Sequence, residues 1–317
     1  MYRIGVDLGG TNIAVGLVNE EFQIVQKKSL PTGADRESEA IVADIATLCR
    51  EVCEAQNITL SEVGGIGIAT PGIANSVTGV LVYSCNLPSF LHYPLADTLK
   101  EMLGSACDVH IENDANAAAW GEAVAGAAKG TSNSIMITLG TGVGGGIIAD
   151  NKIYSGFNFA GAELGHIVIE VDGAPCGCGR RGCWEAYSSA TALIRMTKEK
   201  IEECAKSGRK TIMADAPKIS GRTAFDAMRA GDEAGKEVHD KYIRYLAAGL
   251  TNIINIFQPE VISIGGGISN EGQSLIDALL PQVRAEQYGG DRVALTDIRI
   301  AKLKNDAGII GAATLGM

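Results

Sequence analysis

The chain has 317 residues, about two domains' worth, and 46% of them are apolar, ample for two packed cores and too many for a disordered protein. Net charge is −10 with no dense Lys/Arg stripe, which argues against nucleic acid as a partner, while phosphates can still be held by backbone N–H groups and Mg²⁺. No stretch is long and apolar enough for a membrane span, and a strand pattern beginning at Tyr2 leads us to expect no signal peptide and a reducing, cytoplasmic setting.

In chain order, residues 2–8 form a β-rich run, a Gly-Gly-Thr turn follows, and Ile13–Val18 is its hairpin partner. A third strand is predicted at Phe22–Lys27. Glu37–Gln56 is predicted as an amphipathic helix, with Ile41, Ile45, Leu48 and Val52 at helical spacing. Val63–Ala69 is a strand ended by Thr70-Pro71-Gly72, and Asp108–Glu112 is another. The Ala-rich stretch Ala115–Ala128 has strong helix propensity.

A second cycle with the same succession of elements opens at Ser134. It has a strand at Ile135–Leu139, a glycine turn over Gly140–Gly146, and a strand from Gly146, a weak internal repeat. Residues 155–185 are loop-rich. From Ser188 the chain turns helical, and Ile243, Leu246, Leu250, Ile253, Ile254 and Phe257 make one apolar face. Val261–Ile264 is a strand running into Gly265-Gly266-Gly267. Strand Asp297–Ala301 and a small-residue helix, Ala307–Leu315, close the chain.

Asp7-Leu8-Gly9-Gly10-Thr11-Asn12 sits in the first strand–turn–strand. Glycines without Cβ let backbone N–H groups converge on an anion, Thr11 adds a hydroxyl, and Asp7 can hold Mg²⁺ through water. A plain hairpin turn would have the same composition. It is neither a Walker loop nor a dinucleotide fingerprint, since no helix or Gly-Lys-Ser/Thr follows. Gly140-Thr141-Gly142 repeats the device, and two such turns, one per half, point to a clamped nucleotide. Gly265–Gly267 can admit an adenine or ribose, or can be a tight strand–helix turn. In Glu112-Asn113-Asp114 a carboxylate falls where a strand gives way to a helix. Asp114 there is either an N-cap or a general base taking a proton from an attacking hydroxyl.

The densest chemistry lies between Glu163 and Glu185. His166 with Cys176, Cys178 and Cys183 supplies the donor set that Zn²⁺ takes in a closed, structural tetrahedral site. Three clustered cysteines leave one unpaired, so disulfides explain them poorly; Cys49, Cys53, Cys85, Cys107 and Cys204 read as ordinary thiols. Such an ion would hold Glu163 and Glu185 in place at the two ends of the run.

Together these motifs resemble the ROK family of repressors, open reading frames and sugar kinases, within the actin-like ATPase superfamily. Gly161-Ala162-Glu163-Leu164-Gly165-His166 followed by the Cys176–Glu185 run carries the resemblance most specifically. It implies a two-domain α/β ribonuclease-H-like fold with an active-site cleft between domains. The small domain would comprise residues 1–113 plus about 302–317, and the large one 114–301 with the zinc loop. It implies Asp114 as catalytic base, with Gly72, Asn86, Asn113, Glu163, His166 and Glu185 as further sugar contacts. Asp7, Gly9, Gly10, Thr11, Asn12, Gly140, Thr141, Gly142, Gly265, Gly266 and Gly267 would face ATP·Mg²⁺. Trp184 departs from the Leu or Val common at that position.

The strings Ile-Ala-Thr-Pro-Gly and Gly-Ala-Glu-Leu-Gly-His are most similar to the glucose-phosphorylating bacterial members. N-acetylmannosamine, mannose, fructose and allose stand as alternative sugars, and a homodimer or homotetramer is implied. The family's repressors, which would make this a non-catalytic sugar-sensing regulator, carry a helix-turn-helix ahead of the first glycine turn, and Asp7 leaves no room for one. An actin-like scaffold or chaperone ATPase would leave the zinc run and its glutamates unexplained.

Overall fold

The computed structural model describes residues 1–105 and 107–317. The first elements are β1 (Tyr2–Leu8), β2 (Asn12–Val18), β3 (Ile24–Pro31), α1 (Ser38–Glu54), β4 (Val63–Thr70), β5 (Ile73–Asn75), β6 (Val80–Tyr83), α2 (Leu95–Met102), β7 (Val109–Asn113) and α3 (Asp114–Val124). Then come β8 (Ser134–Leu139), β9 (Val143–Ala149), β10 (Lys152–Ile153), α4 (Glu185–Ser188), α5 (Ala190–Ser207), α6 (Thr223–Arg229) and α7 (Glu233–Phe257). Last are β11 (Val261–Gly265), α8 (Gln273–Glu286), β12 (Asp297–Ile300) and α9 (Ala307–Ala313).

One compact unit comprises Met1–Met136, Gly146–Ala162 and Lys302–Met317; the other comprises Ile137–Gly145 and Glu163–Ala301. The first sheet runs β3-β2-β1-β4-β7, with β1 antiparallel to β2 and parallel to β4. The second runs β10-β9-β8-β11-β12. In chain order both place third, second, first, fourth, fifth, so the weak repeat seen in the sequence is a repeat of topology. The α/β reading is borne out. Among the described residues, no helix is long and apolar enough to cross a membrane.

In the first unit, α1 lays Ile41, Ile45, Leu48 and Val52 into a core shared with Ile4, Val6, Ile66 and Ile68. The sheet's other face takes α9, and there the contact is backbone on backbone. A Cβ on Gly5 would stand 1.9 Å from Ile309 O, one on Gly67 1.8 Å from Ala312 O, and one on Gly311 1.7 Å from Ala117 O. The small residues of α3 and α9 are thus a packing requirement. Glu122, wholly buried on α3, accepts from the N–H groups of Ala127, Lys302 and Leu303, tying the returning C-terminal segment to this unit. Since neither backbone can yield, Gly311→Ala is expected to lower unfolding stability by about 3 kcal/mol, the upper end for overpacking, which a denaturant midpoint would show.

Several boundaries differ from expectation. The third strand starts at Ile24, because Phe22 occupies the turn at φ 60°, and it runs on to pair Pro31 with Asn12. The hairpin β5–β6 and helix α2, whose Leu95, Leu99 and Met102 fall at helical spacing, were not among the expected elements. α3 ends at Val124 because the Glu122 carboxylate draws the following Ala127 N–H back on itself. The second glycine turn is shorter than expected: β9 begins at Val143 and contains Gly144, Gly145 and Gly146. Gly145 leaves room for the Leu164 side chain, and Gly146 for Ala115 O and the Ala119 methyl. On α7 the apolar face is buried from Val238 to Ile254, but Phe257 is 40% exposed.

Candidate active site

In the first unit, two strand ends and one crossover loop position the polar groups. The turn after β1 is closed by Gly9 N–H donating to Asn12 O at 2.9 Å, and Thr32 braces it by donating Oγ1–H to Gly9 O at 2.6 Å. Thr32 was not singled out from the sequence. Thr11 and Asn12 are exposed. Asn86 lies directly on this turn, since a Cβ on Gly10 would be 3.1 Å from Asn86 Cβ. Gly72 adopts φ 92°, and a side chain there would collide with Tyr83 O at 2.1 Å. Its carbonyl accepts from Asn113 Nδ2 at 3.1 Å.

The N-cap of α3 is Asn113, whose Oδ1 accepts from the N–H groups of Ala115 and Asn116. Asp114 is therefore the first helical residue and is released from the capping role. Its Oδ1 accepts from Ala115 N–H at 2.8 Å. Asp114 presents surface to solvent, yet protein atoms crowd its carboxyl enough that desolvation raises its pKa against that hydrogen bond. Asp7, half-buried in β1, is pushed up to about 6, first by desolvation and then by the negative charge of Asp114, with Lys27 opposing. Behind them Glu112 is buried and likewise raised by desolvation, while accepting from Asn116 Nδ2 and Asn113 N–H.

A carboxyl raised on folding favours the folded state at low pH, and that contribution is lost as pH climbs through the folded value. Ionised Asp7 thus costs on the order of 3 kcal/mol above pH 6. Asp7→Asn is expected to melt higher than the parent at pH 8 without Mg²⁺ or nucleotide. The gap should close between roughly pH 6 and 4. A gap that does not change with pH would remove the carboxyl from the explanation.

In the second unit the turn Gly140–Gly142 is closed by Gly140 N–H donating to Gly142 O at 3.0 Å. Ala190 N–H donates to Gly140 O and Thr191 Oγ1 to Thr141 O, both at 2.8 Å. Gly266, at φ 82°, lies against the backbone of Leu139, where a Cβ would stand 2.5 Å from the carbonyl oxygen. The glycines after β11 therefore abut the start of this turn, and nothing lies within 4 Å of a Cβ at Gly267.

Glu163 is exposed, and its carbonyl accepts from His166 N–H at 3.0 Å. The ligand atoms of His166, Cys176, Cys178 and Cys183 lie within 4.8 Å of one another and could hold a metal ion. Cys178 Sγ and Cys183 Sγ are 3.7 Å apart, as are Cys176 Sγ and His166 Nδ1. Those two spacings match the edge of a tetrahedron with bonds of about 2.3 Å, and one imidazole with three thiolates is a donor set that suits Zn²⁺. The loop folds on its own backbone: Cys176 N–H donates to Arg180 O, Gly182 N–H to Ala174 O, and Arg180 Nη1 to His166 O. Glu185 follows directly, its Oε1 3.5 Å from Cys176 Sγ and its Oε2 accepting from Val143 N–H at 3.0 Å. This link between the cysteine loop and the glycine turn was not anticipated.

The chain is a two-unit α/β protein with one glycine turn per unit and a His/Cys₃ cluster, and the sugar-kinase structures it resembles have the actin-like ATPase two-domain fold. The sequence model of the ROK family matches residues 3–317, and the chain belongs to that family. A glucokinase of Thermotoga maritima is 36% identical over 312 residues, 98% of this chain and 96% of the relative. One from Halalkalibacterium halodurans is 37% identical over 319 residues, 99% and 94% of the two chains. The crystal structure of a ROK glucokinase from Streptomyces griseus, in complex with glucose and AMPPNP, superimposes with a TM-score of 0.77 at 34% identity, covering 99% of each chain.

Proposed function

We propose that the protein is an ATP-dependent hexose kinase that converts glucose and ATP to glucose 6-phosphate and ADP. The observation that carries the reading is Asp114: a solvent-reached carboxylate at the head of α3, raised by desolvation and freed from capping by Asn113. A general base needs such a carboxylate, uncapped and open to the hydroxyl it deprotonates. Asp114 accepts the proton of the 6-hydroxyl as that oxygen bonds to the γ-phosphorus, and the bond to the β,γ-bridging oxygen breaks to release ADP. Asn113, Glu163, His166, Glu185, Gly72 and Asn86 hold the other hydroxyls. The Val143 N–H bond leaves the Glu185 carboxylate further lone pairs for a sugar.

The turns Gly9–Asn12 and Gly140–Gly142 take the phosphates, and Gly265–Gly267 takes the adenosine. Asp7 would hold Mg²⁺, which when bound neutralises charge on the phosphates. A magnesium ion beside Asp7 would also relieve the repulsion between Asp7 and Asp114. His166, Cys176, Cys178 and Cys183 would hold a structural zinc.

A coupled ADP-release assay across glucose, mannose, fructose, allose and N-acetylmannosamine tests the reading. Glucose is expected to give the highest kcat/KM. A higher value for another sugar would move the substrate, and an ATPase rate independent of every sugar would end the kinase reading.

A further inference from the structure

Gly249 lies inside α7, where glycine is a poorer choice than alanine because it gives up more backbone freedom on folding. The reason for it is steric. A Cβ there would stand 2.0 Å from Cε2 and 2.3 Å from Nε1 of Trp184. The wholly buried indole fills the notch, and its Nε1–H donates to Tyr245 O at 3.0 Å. The backbone of Trp184 is held as well: its N–H donates to Ile167 O at 2.8 Å, and its carbonyl accepts from the N–H groups of Tyr187 and Ser188. Residue 184 is thus fixed at side chain, N–H and carbonyl.

The next residue is Glu185, whose Oε2 takes the Val143 N–H and crowds Gly142 so closely that a Cβ there would lie 2.3 Å away. The same short segment then grips Gly140 O through Ala190 and Thr141 O through Thr191. We propose that Trp184, keyed into the notch at Gly249, is a positioning residue: it sets where the Glu185 carboxylate stands and, through it, the conformation of the turn 140–143. The inference rests on the kinase reading for what the turn binds, but not for the geometry itself.

Three variants test it: Gly249→Ala, Trp184→Leu, and the two combined. In Gly249→Ala the methyl displaces the indole, and KM for glucose and for ATP should each rise roughly tenfold while kcat stays within about threefold, as expected of misplaced binding groups. In the double variant the smaller leucine makes room for the methyl, and both KM values should return to within about threefold of the parent, a non-additivity expected of residues in contact. Amide exchange of peptides covering 140–150 should quicken roughly tenfold in each single variant and recover in the double.

A merely structural role would lower the active fraction with both KM values unmoved, and that result overturns the proposal. So does a double variant no better than Gly249→Ala. If Gly249→Ala does not accumulate as folded protein, Trp184→Leu against the double gives the same comparison. A parent protein without sugar-dependent ADP release would refute the kinase reading alone, and the exchange measurement would still decide the positioning role.

Discussion

Asp114→Asn is expected to fold, to retain the proposed zinc and to lose turnover by roughly 10²–10⁴-fold, the range for removing a general base. The amide is isosteric, and its oxygen can keep the bond from Ala115 N–H that Asp114 Oδ1 accepts at 2.8 Å. The start of α3 does not depend on it, because Asn113 supplies the cap. What the variant lacks is the lone pair that takes the hydroxyl proton. KM for the sugar should therefore change little while kcat collapses, the pattern of an interaction made only in the transition state. A kcat within about tenfold of the parent would assign the base elsewhere. The pH dependence supplies an independent check. Burial raises both Asp7 and Asp114, and the Asp114 charge adds to the rise at Asp7, so the acid limb of kcat/KM should lie above the ordinary carboxylate range.

The parts legible in the sequence were those whose signals are local. β1, β2 and β4 are dense apolar runs bounded by turns, and α1 repeats Ile41, Ile45, Leu48 and Val52 at helical spacing. The His/Cys₃ cluster could be read because its donors fall within eighteen residues and few other chemistries want that set. The hairpin β5–β6, with strands of three and four residues, is too short for any period to show. The glycines of β9 misled for a physical reason. Glycine is depleted in strands, but Gly145 and Gly146 are required by neighbours distant in sequence, Leu164 and the Ala115–Ala119 stretch. Asn113 and Asp114 both favour a cap, and only the backbone decides which side chain turns back on the helix. Gly249 gave no warning at all. Its partner Trp184 is 65 positions away, and a lone glycine in a long apolar helix reads as tolerated noise.

Removal of the proposed zinc is expected to reach further than the sugar. From the sequence, an ion held by His166 and the three cysteines would steady Glu163 and Glu185, so its loss would weaken sugar affinity and local stability before ATP binding. Glu185 alters that order. It follows Cys183 by two residues and its Oε2 holds Val143 N–H, so one residue joins the cysteine loop to the turn proposed to take phosphate. Once the cysteine loop loosens, Glu185 and its hold on Val143 N–H slacken with it. Zinc-stripped protein should show KM for glucose raised roughly tenfold or more, the scale for losing a partner that orients ligands, with KM for ATP rising in parallel by a smaller factor. Readdition of Zn²⁺ should restore both. Nucleotide affinity measured by titration without sugar separates this from a simple loss of sugar-induced ordering. Stripped, folded protein that binds ATP analogue as tightly as the zinc-loaded form would show that Glu185 does not transmit the metal's state to the glycine turn. Protein that also keeps its glucose affinity would remove the ion from the site's architecture altogether. Glu185→Gln offers the complementary case. The amide oxygen can still accept from Val143 N–H, so the turn should hold and ATP affinity persist, while the lost charge weakens the sugar contact. Chelation and substitution are therefore expected to diverge at ATP and agree at glucose, because only chelation releases the loop that carries the carboxylate.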